Sequence, residues 1–446
     1  MNELKDIVVV LSDQHAFSKS SLSGFDIEGG LSELSGINYT NTYCNAPLCV
    51  PSRMSFLTGK LPRHTEVFDN DSMLSSDVAT MAHALGAKGY KTILVGRMHF
   101  KGVDQNHGFD QRLVGDITSQ YWGVKRDELG SYAETLKMKG CQNLIGPGYS
   151  PVHEYDQMVY EEALRQLSME HDSPLFIVVG FYSPHFPYIG HESTYNHHKE
   201  SYKGFDSDHV IKAYEHMVQE SSEDDLCDIH AAYCSMCEHL EHQVVAIHNQ
   251  FENYLNGKDG LFIYTSDHGD QLGNRGLFGK KTFYSDSIKV PLLIKEMHKN
   301  VRVVRKEPVS LIDITKSIVS YSGAYLPDMD GEDIISSEKT KPIIIEQMFD
   351  NMLSQCILDN QFKALKYGED LYLLNHEDKI INNDEYLEKL SNEFVDETTL
   401  LLRYKKHCAS VEILKEWGQL KKPKQTSVVD FSKKALTIEK TLKVRT

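Results

Sequence analysis

Residues 7–14 read Ile-Val-Val-Val-Leu-Ser-Asp-Gln, an apolar run that ends in polar side chains. A continuous apolar run of this length is typical of a strand that is buried on both faces, as in a parallel sheet. The pattern recurs in residues 92–99, 175–185 and 261–268, where each apolar run ends close to an Arg, His or Asp. The sequence therefore predicts four buried strands that deliver ionisable side chains at their carboxyl ends.

Helical patterns fill the segments between these strands, in residues 76–88, 156–171 and 231–255. The alternation predicts an α/β fold with a large mixed, mostly parallel sheet sandwiched by helices. Ligands bind outside the carboxyl ends of the strands in such sheets, so the polar strand ends predict one shared functional site.

The sequence pattern changes after residue 340. Short strand-like pieces follow, and then a charged, helix-prone stretch over residues 384–420; the pieces are 342–346, 356–358, 362–367 and 370–374. We therefore expect an α/β domain in residues 1–340 and a smaller α+β subdomain in residues 341–446, which includes a small antiparallel sheet, a helix and a polar tail.

Composition excludes some classes of partner. The chain has 446 residues, of which 40% are hydrophobic and 25% charged, and its formal net charge is −17. Such an acidic chain is not expected to bind nucleic acid or an anionic membrane, because those partners need clustered Lys and Arg. An anionic substrate would need a local basic pocket.

No apolar run is long enough to cross a bilayer, and the apolar stretch near the start is too short for a signal peptide. We therefore expect a cytoplasmic protein. The eight cysteines show no compact disulfide spacing, which predicts free thiols. They are Cys44, Cys49, Cys141, Cys227, Cys234, Cys237, Cys356 and Cys408.

Residues 48–60 carry the most specific motif of the chain. They read Leu-Cys-Val-Pro-Ser-Arg-Met-Ser-Phe-Leu-Thr-Gly-Lys and match the pattern C-x-P-S-R followed by L-T-G-[RK]. The segment resembles the formylglycine-dependent sulfatases of the alkaline-phosphatase superfamily, and the resemblance continues in motif order from Asp13 to Pro291. It implies an alkaline-phosphatase-like fold and hydrolysis of a sulfate ester.

In that family a separate maturing enzyme oxidises the cysteine to formylglycine. The resemblance implies that Cys49 is so modified and that Arg53 braces it. A geminal diol suits this chemistry, because one oxygen can attack sulfur and the other can expel sulfate and restore the aldehyde.

The resemblance also implies a divalent cation, with Asp13, Gln14, Asp267, His268 and the modified Cys49 as ligands. Oxygen-rich sites favour hard cations, and Ca²⁺ is the ion that the family leads us to expect. Here Asp-Gln stands where many relatives have Asp-Asp, and Asp-His where others have Asp-Asn. These changes lower the ligand charge and add a nitrogen, so Mg²⁺ and Mn²⁺ stay open.

Three further segments resemble the sulfate pocket of the family. Gly-Arg-Met-His at 96–99 is similar to Gly-Lys-x-His, which implies that Arg97 preserves the charge of the usual Lys and that His99 is the base of the second step. By the same resemblance, His185 and Lys280 form the leaving-group pair, as general acid and charge stabiliser. Asn70 stands where relatives place a polar residue of the active site, which implies a substrate contact.

Two other functions stay open. The same formylglycine could hydrolyse a phosphonate monoester or a phosphodiester, although Arg97 and His99 favour sulfate. A catalytically silent binding protein could keep the fold, although every expected position is occupied.

The identity of the ester also stays open. Residues 98–109 resemble the choline sulfatases, whereas residues 279–283 differ from them, so a sulfated sugar is an equal alternative. The expected partners are the ester and a sulfatase-maturing enzyme, and a homo-oligomer stays open.

Six Cys and His residues superficially suggest a zinc site. They follow a helical pattern, and a C-x-x-C inside a helix lacks the turn of a zinc knuckle, so we predict that they pack rather than bind metal. They are Cys227, His230, Cys234, Cys237, His239 and His242.

Overall fold

The structure is a computed structural model that describes residues 4–102, 104–117, 144–205, 210–337, 341–349, 352–395 and 397–421. Cys141 and the predicted polar tail after Lys421 lie outside these residues. The described strands are β1 (Asp6–Asp13), β2 (Gly36–Tyr39), β3 (Thr42–Tyr43), β4 (Lys91–Gly96), β5 (Gln111–Leu113), β6 (Ile145–Pro147), β7 (Leu175–Pro184), β8 (Tyr188–Gly190), β9 (Gly260–Ser266), β10 (Lys289–Val290), β11 (Leu292–Glu296), β12 (Arg302–Arg305), β13 (Val309–Ser310), β14 (Ile343–Phe349), β15 (Met352–Leu358), β16 (Lys363–Tyr367) and β17 (Asp370–Leu374).

The described helices are α1 (Cys49–Thr58), α2 (Pro62–Thr65), α3 (Met81–Lys88), α4 (Pro151–Gln166), α5 (Glu192–Glu200), α6 (Glu223–Leu255), α7 (Ser285–Ile288), α8 (Leu311–Ser322), α9 (Asp384–Ser391) and α10 (Glu397–Lys421). Within the residues given above, no helix combines the length and hydrophobicity that a membrane span requires.

The main sheet has eight strands in the order β12-β2-β11-β9-β1-β7-β4-β5. The five strands from β9 to β5 run parallel, and β11 is antiparallel to both of its neighbours. The four predicted strands are therefore adjacent, with β1 in the middle of the group. This confirms the predicted large, mixed and mostly parallel sheet.

The side chains of strand β1 show that both faces of the sheet are covered. Ile7, Val9 and Leu11 belong to the hydrophobic core on one face, which includes α1, α3 and α8. Val8 and Val10 belong to the core on the other face, which includes α4 and α6. All five side chains are fully buried, and burying a side chain of this kind stabilises a fold by about 1.5–3 kcal/mol.

The helix predictions were correct in type but less accurate at their ends. The helix predicted over residues 76–88 begins only at Met81, because the Thr80 side chain accepts a hydrogen bond from His83 N and caps the first turn. The helix predicted over 156–171 begins earlier, at Pro151, since proline suits the first helical position.

The C-terminal segment forms a separate antiparallel sheet in the order β14-β15-β16-β17, followed by α9 and α10. This confirms the predicted second sheet. Glu346 on β14 forms an ion pair of 2.7 Å with Arg63 of α2. The division of the chain at residue 340 stays a prediction.

Candidate active site

The register of the parallel strands brings the predicted site residues to one edge of the sheet. Ser12 of β1 pairs with Ser266 of β9, so the residues that follow them, Asp13 and Asp267, lie side by side. Gly96 of β4 pairs with Gly180 of β7. Because the two strands are parallel, the residues that follow these glycines continue toward the same edge of the sheet.

Four buried residues meet at this edge as a candidate metal centre. One ligand atom from each of Asp13, Cys49, Asp267 and His268 lies within 4.8 Å of the others, and all four side chains are buried. The Cys49 sulfur lies 3.2 Å from His268 Nε2 and 3.7 Å from Asp13 Oδ1. The cysteine opens α1, so the helix N-terminus adds positive potential there.

The donor chemistry of this cluster fits a divalent cation. His268 Nδ1 lies 3.1 Å from the carbonyl oxygen of Gly269, which can only accept a hydrogen bond, so Nδ1 carries the proton. The neutral ring then presents the lone pair of Nε2 to the two carboxylates, 3.8 Å from Asp13 Oδ1 and 3.6 Å from Asp267 Oδ1. Two carboxylates and an oriented imidazole are a common ligand set for a divalent ion.

Arg53 braces both carboxylates from within the core. Its Nε donates to Asp267 over 2.8 Å and its Nη2 to Asp13 over 3.1 Å, and all three side chains are fully buried. Burial alone would raise the pKa of Asp13, but Arg97 and the other cations of the site outweigh it and hold that pKa well below its usual value. Asp13 is therefore ionised, which the predicted role as a metal ligand would require.

Gln14 lies beside this cluster, and its amide bridges two other side chains. Its Nε2 donates to Asp270, and its Oε1 accepts from Lys280 Nζ over 2.5 Å. The backbone of Gln14 has a φ of 73° and its N–H donates to Asp267 Oδ1. The predicted role of Gln14 as a metal ligand stays a prediction.

Arg97 and His99 lie at the end of β4 and contact each other. The Arg97 guanidinium donates through Nε to Asp13 over 2.6 Å, through Nη1 to Asp116 over 2.8 Å and through Nη2 to His99 Nδ1 over 2.7 Å. Burial, and next the charge of Arg97, hold the pKa of His99 well below its usual range. His99 is therefore neutral at physiological pH.

His185 and Lys280, the predicted leaving-group pair, share one aromatic neighbour. The His185 ring lies 4.2 Å from the Phe186 ring between centroids, and Lys280 Nζ lies 5.6 Å from the same Phe186 centroid. Burial, and next the charge of Lys280, keep the pKa of His185 well below its usual value.

Asn70 contacts the backbone of α1 in its first turn. Its Oδ1 accepts the N–H of Val50 over 2.9 Å, next to Cys49. This N–H has no partner within α1, so Asn70 satisfies one of the free donors of the first turn. The predicted contact of Asn70 with substrate stays a prediction.

Sequence reasoning missed two buried acids of the site, Asp116 and Asp156. Asp156 on α4 accepts the N–H groups of Tyr182 and Ser183, each over 2.8 Å, just before His185. Burial raises the pKa of Asp156 to about 6. Asp116 follows β5, which has three residues and is too short for a recognisable periodicity. No local signal in the sequence therefore marks Asp116.

The six Cys and His residues between Cys227 and His242, which we predicted to pack in a helix and not to bind zinc, lie on α6. Within the described part of the chain, only the Asp13 cluster brings together three or more groups of the kinds that bind metal. Cys234 Sγ lies 3.6 Å from His230 Nε2, one helical turn earlier, and the described cysteines are free thiols.

The fold and the position of the site define an α/β protein of the alkaline-phosphatase-like class. The solved structure of the phosphonate monoester hydrolase of Agrobacterium radiobacter superposes on the chain with a TM-score of 0.68. The two are 19% identical, and the match covers 92% of this chain and 96% of that one. At this identity the similarity concerns the fold alone.

Within that class the chain belongs to the sulfatase family, whose model matches residues 5–324. A choline-sulfatase of Rhizobium meliloti (strain 1021) is 29% identical over 341 residues, which cover 69% of this chain and 66% of the relative. An ulvan-active sulfatase of Formosa agariphila is 27% identical and matches 67% of this chain and 57% of the relative. The chain thus spans under two thirds of the length of these curated relatives.

Proposed function

We propose that this chain hydrolyses sulfate esters and that its nucleophile comes from Cys49, after a maturing enzyme has oxidised it to formylglycine. The position of Cys49 is the main support for this proposal. Cys49 is the first residue of a buried helix, and its sulfur lies within 4.8 Å of the ligand atoms of two carboxylates and an imidazole. Membership of the sulfatase family supports the class of reaction.

The residues that would hold the cation are Asp13, Asp267, His268 and the modified Cys49, with Gln14 as a further proposed ligand. We propose Ca²⁺ because most of these donors are oxygens, and Mg²⁺ or Mn²⁺ would also fit. A cation bound there would polarise a sulfate oxygen and favour ionisation of the formylglycine hydrate.

Lys280 is the residue that we assign to the leaving oxygen of the ester. Its ammonium group donates to the neutral amide oxygen of Gln14, so this hydrogen bond leaves its charge available to an anion. Charge developing on the leaving oxygen would be stabilised by a cation already fixed in place.

His185 is the proposed acid for the leaving alcohol. Its Nδ1 donates to the carbonyl oxygen of Phe186 over 2.9 Å, which leaves Nε2 to exchange a proton with the substrate. The ring must first take up that proton, and the negative charge of a bound sulfate ester would raise the pKa of His185 toward neutrality.

Choline sulfate and a sulfated sugar are the two substrates that we propose to compare. The similarity to a choline-sulfatase supports the first, and the similarity to an ulvan-active sulfatase supports the second. A phosphonate monoester is the third candidate, since the site could attack phosphorus by the same route.

The proposal is tested by producing the chain together with a sulfatase-maturing enzyme and measuring kcat/KM on all three substrates and on nitrophenyl sulfate. We expect turnover of a sulfate ester. Lys280→Ala should lower kcat/KM by about 100- to 1,000-fold, because it removes a fixed charge at the leaving oxygen. Lys281→Ala is the matched control, since that exposed lysine is the adjacent residue, and it should stay near wild type.

The other outcomes would contradict either the proposed function or the role of Lys280. A higher kcat/KM on the phosphonate monoester than on every sulfate ester would favour the phosphonate hydrolase. Equal activity of Lys280→Ala and Lys281→Ala would remove the role of Lys280. Matured protein that binds a sulfate ester without turnover would favour the binding protein.

A further inference from the structure

The Arg97 guanidinium is held by three acceptors within the protein. Asp13 accepts from Nε, Asp116 from Nη1 and His99 from Nη2, with distances of 2.6 to 2.8 Å. These bonds fix the plane of the guanidinium, because its donors form a rigid fork. The guanidinium carbon lies over the Tyr182 ring, 4.7 Å from the ring centroid.

The bond from Arg97 determines which nitrogen of His99 carries the proton. A guanidinium has five N–H donors, no acceptor and a proton that it does not lose in proteins. His99 Nδ1 must therefore be the acceptor in the 2.7 Å bond from Arg97 Nη2. A neutral imidazole carries one proton, so the proton of His99 is on Nε2.

Asp116 fixes both partners of this bond. Its Oδ1 accepts from Arg97, and its Oδ2 accepts the backbone N–H of His99 over 2.9 Å. The backbone of His99 lies in the left-handed region with a φ of 62°, which a residue with a β-carbon adopts only when its surroundings hold it there. The loop that carries Asp116 is anchored in turn, because Tyr155 donates to the carbonyl oxygen of Gly115 over 2.7 Å.

His185 shows the opposite arrangement at the same site. Its Nδ1 donates to a carbonyl oxygen, so its Nε2 has a free lone pair when the ring is neutral. His185 can therefore take up and release a proton at Nε2. His99 can do so only if it first loses the proton that the Arg97 bond places on Nε2.

We propose that Asp116 is a positioning residue which, through Arg97, holds His99 as a hydrogen-bond donor to the anionic group of the substrate rather than as a base. The inference rests on the proposed function for the identity of that group, a sulfate ester. His99 is partly exposed, as a group that meets substrate must be. The family resemblance implies a base at this position, whereas the bond from Arg97 to Nδ1 leaves the proton of His99 on Nε2.

The first test reads the tautomer directly. Long-range ¹H–¹⁵N correlation spectra of the full chain labelled with ¹⁵N-histidine, with His99 assigned by its loss in His99→Gln, should show one neutral form protonated at Nε2 from about pH 6 to about pH 8. In Asp116→Asn the ring should populate both neutral forms. A wild-type ring protonated at Nδ1, or at both nitrogens, overturns the proposal.

The second test uses turnover of a sulfate ester. His99→Gln should keep more activity than His99→Phe, because an amide can donate a hydrogen bond but cannot act as a base. Asp116→Asn should lower kcat by about 10- to 100-fold, since one of its two acceptors becomes an amide that donates. Equal losses in His99→Gln and His99→Phe would contradict the donor role.

A control separates positioning from folding. Asp313 on α8 is also a fully buried carboxylate, and it accepts the backbone N–H groups of Ser310 and Glu332. Asp313→Asn should lower the melting temperature and leave kcat within about two-fold of wild type, whereas Asp116→Asn should lower kcat itself. A similar kcat loss in both variants assigns Asp116 a structural role only. Wild-type protein without turnover would remove the proposed function, while the spectra would still decide the tautomer.

Discussion

Among single residues, Arg53 shows how the charges of the site depend on one another. It is fully buried and forms ion pairs with two fully buried carboxylates. Its nitrogens lie 3.1 Å from an oxygen of Asp13 and 2.8 Å from an oxygen of Asp267. Removing one partner of a buried ion pair is costly, because the remaining charges have no water to solvate them. The stability of this edge of the sheet should therefore depend on Arg53 more than on any exposed arginine.

We predict that Arg53→Met lowers the free energy of unfolding by about 3–5 kcal/mol in the presence of a chelator. Chemical denaturation followed by circular dichroism would measure it. Arg165→Met is the control, since Arg165 forms an exposed pair with Glu162 and exposed pairs contribute little. A denaturation midpoint for Arg53→Met equal to that of wild type would contradict the assignment.

Three histidines outside the site predict acid sensitivity. The His191 ring lies between two others: it stacks on His239 with centroids 3.8 Å apart, and it is tilted by 42° against His153 with centroids 4.2 Å apart. Burial lowers the pKa of His153 to about 4 and that of His191 to about 2. Because these folded-state pKa values lie below the usual 6.5, stability is complete above pH 6.5 and is lost as the pH falls from there toward 4.

His191→Phe should make that loss shallower, since it keeps a stacked ring and removes one group that must be protonated. Thermal unfolding between about pH 7 and about pH 4 would measure the slope. His197→Phe, on the exposed side of α5, should leave it unchanged. An identical slope in wild type and His191→Phe would show that this stack does not govern acid stability.

At the scale of elements, helix α1 begins at Cys49, and its first turn depends on Asn70. Since Asn70 Oδ1 accepts the Val50 N–H, Asn70→Ala should lower the free energy of unfolding by about 1 kcal/mol, as the loss of a helix cap does. Asn70→Asp keeps an acceptor at the helix N-terminus and should retain this stability. If Asn70→Asp is as unstable as Asn70→Ala, the hydrogen bond does not support the helix.

Activity of the same two variants tests the predicted contact with substrate. A substrate contact through the Asn70 amide would lower kcat/KM in both variants, whereas a role limited to the helix would lower it in Asn70→Ala alone.

Elements could be predicted from the sequence where burial dictates the pattern. The runs that became β1, β4, β7 and β9 are apolar because both faces of the sheet are covered, so their ends marked the site. Element ends were less accurate, because side-chain caps such as Thr80 decide them. Asp116 was missed because its contacts with Arg97 and His99 depend on tertiary structure and leave no local pattern.

At the scale of the whole molecule, the C-terminal segment contacts the loops that surround the site. Tyr404 on α10 donates to Asp69 over 2.5 Å, next to Asn70, and Gln347 on β14 donates to the carbonyl oxygen of Lys281 over 2.9 Å, next to Lys280. The sequence predicted that this second sheet exists. It could not predict where the sheet would dock, because docking depends on contacts between residues that are far apart in the chain.

Peptide mass spectrometry can show whether Cys49 is oxidised to the aldehyde that we propose as the source of the nucleophile. Chain produced with an active maturing enzyme would be alkylated, digested with trypsin and treated with an aldehyde-trapping reagent, and the peptide of residues 20–53 would be weighed. That peptide also contains Cys44, which serves as an internal thiol control. We expect a trapped aldehyde at Cys49 and an alkylated thiol at Cys44; two alkylated thiols in one peptide would contradict oxidation of Cys49.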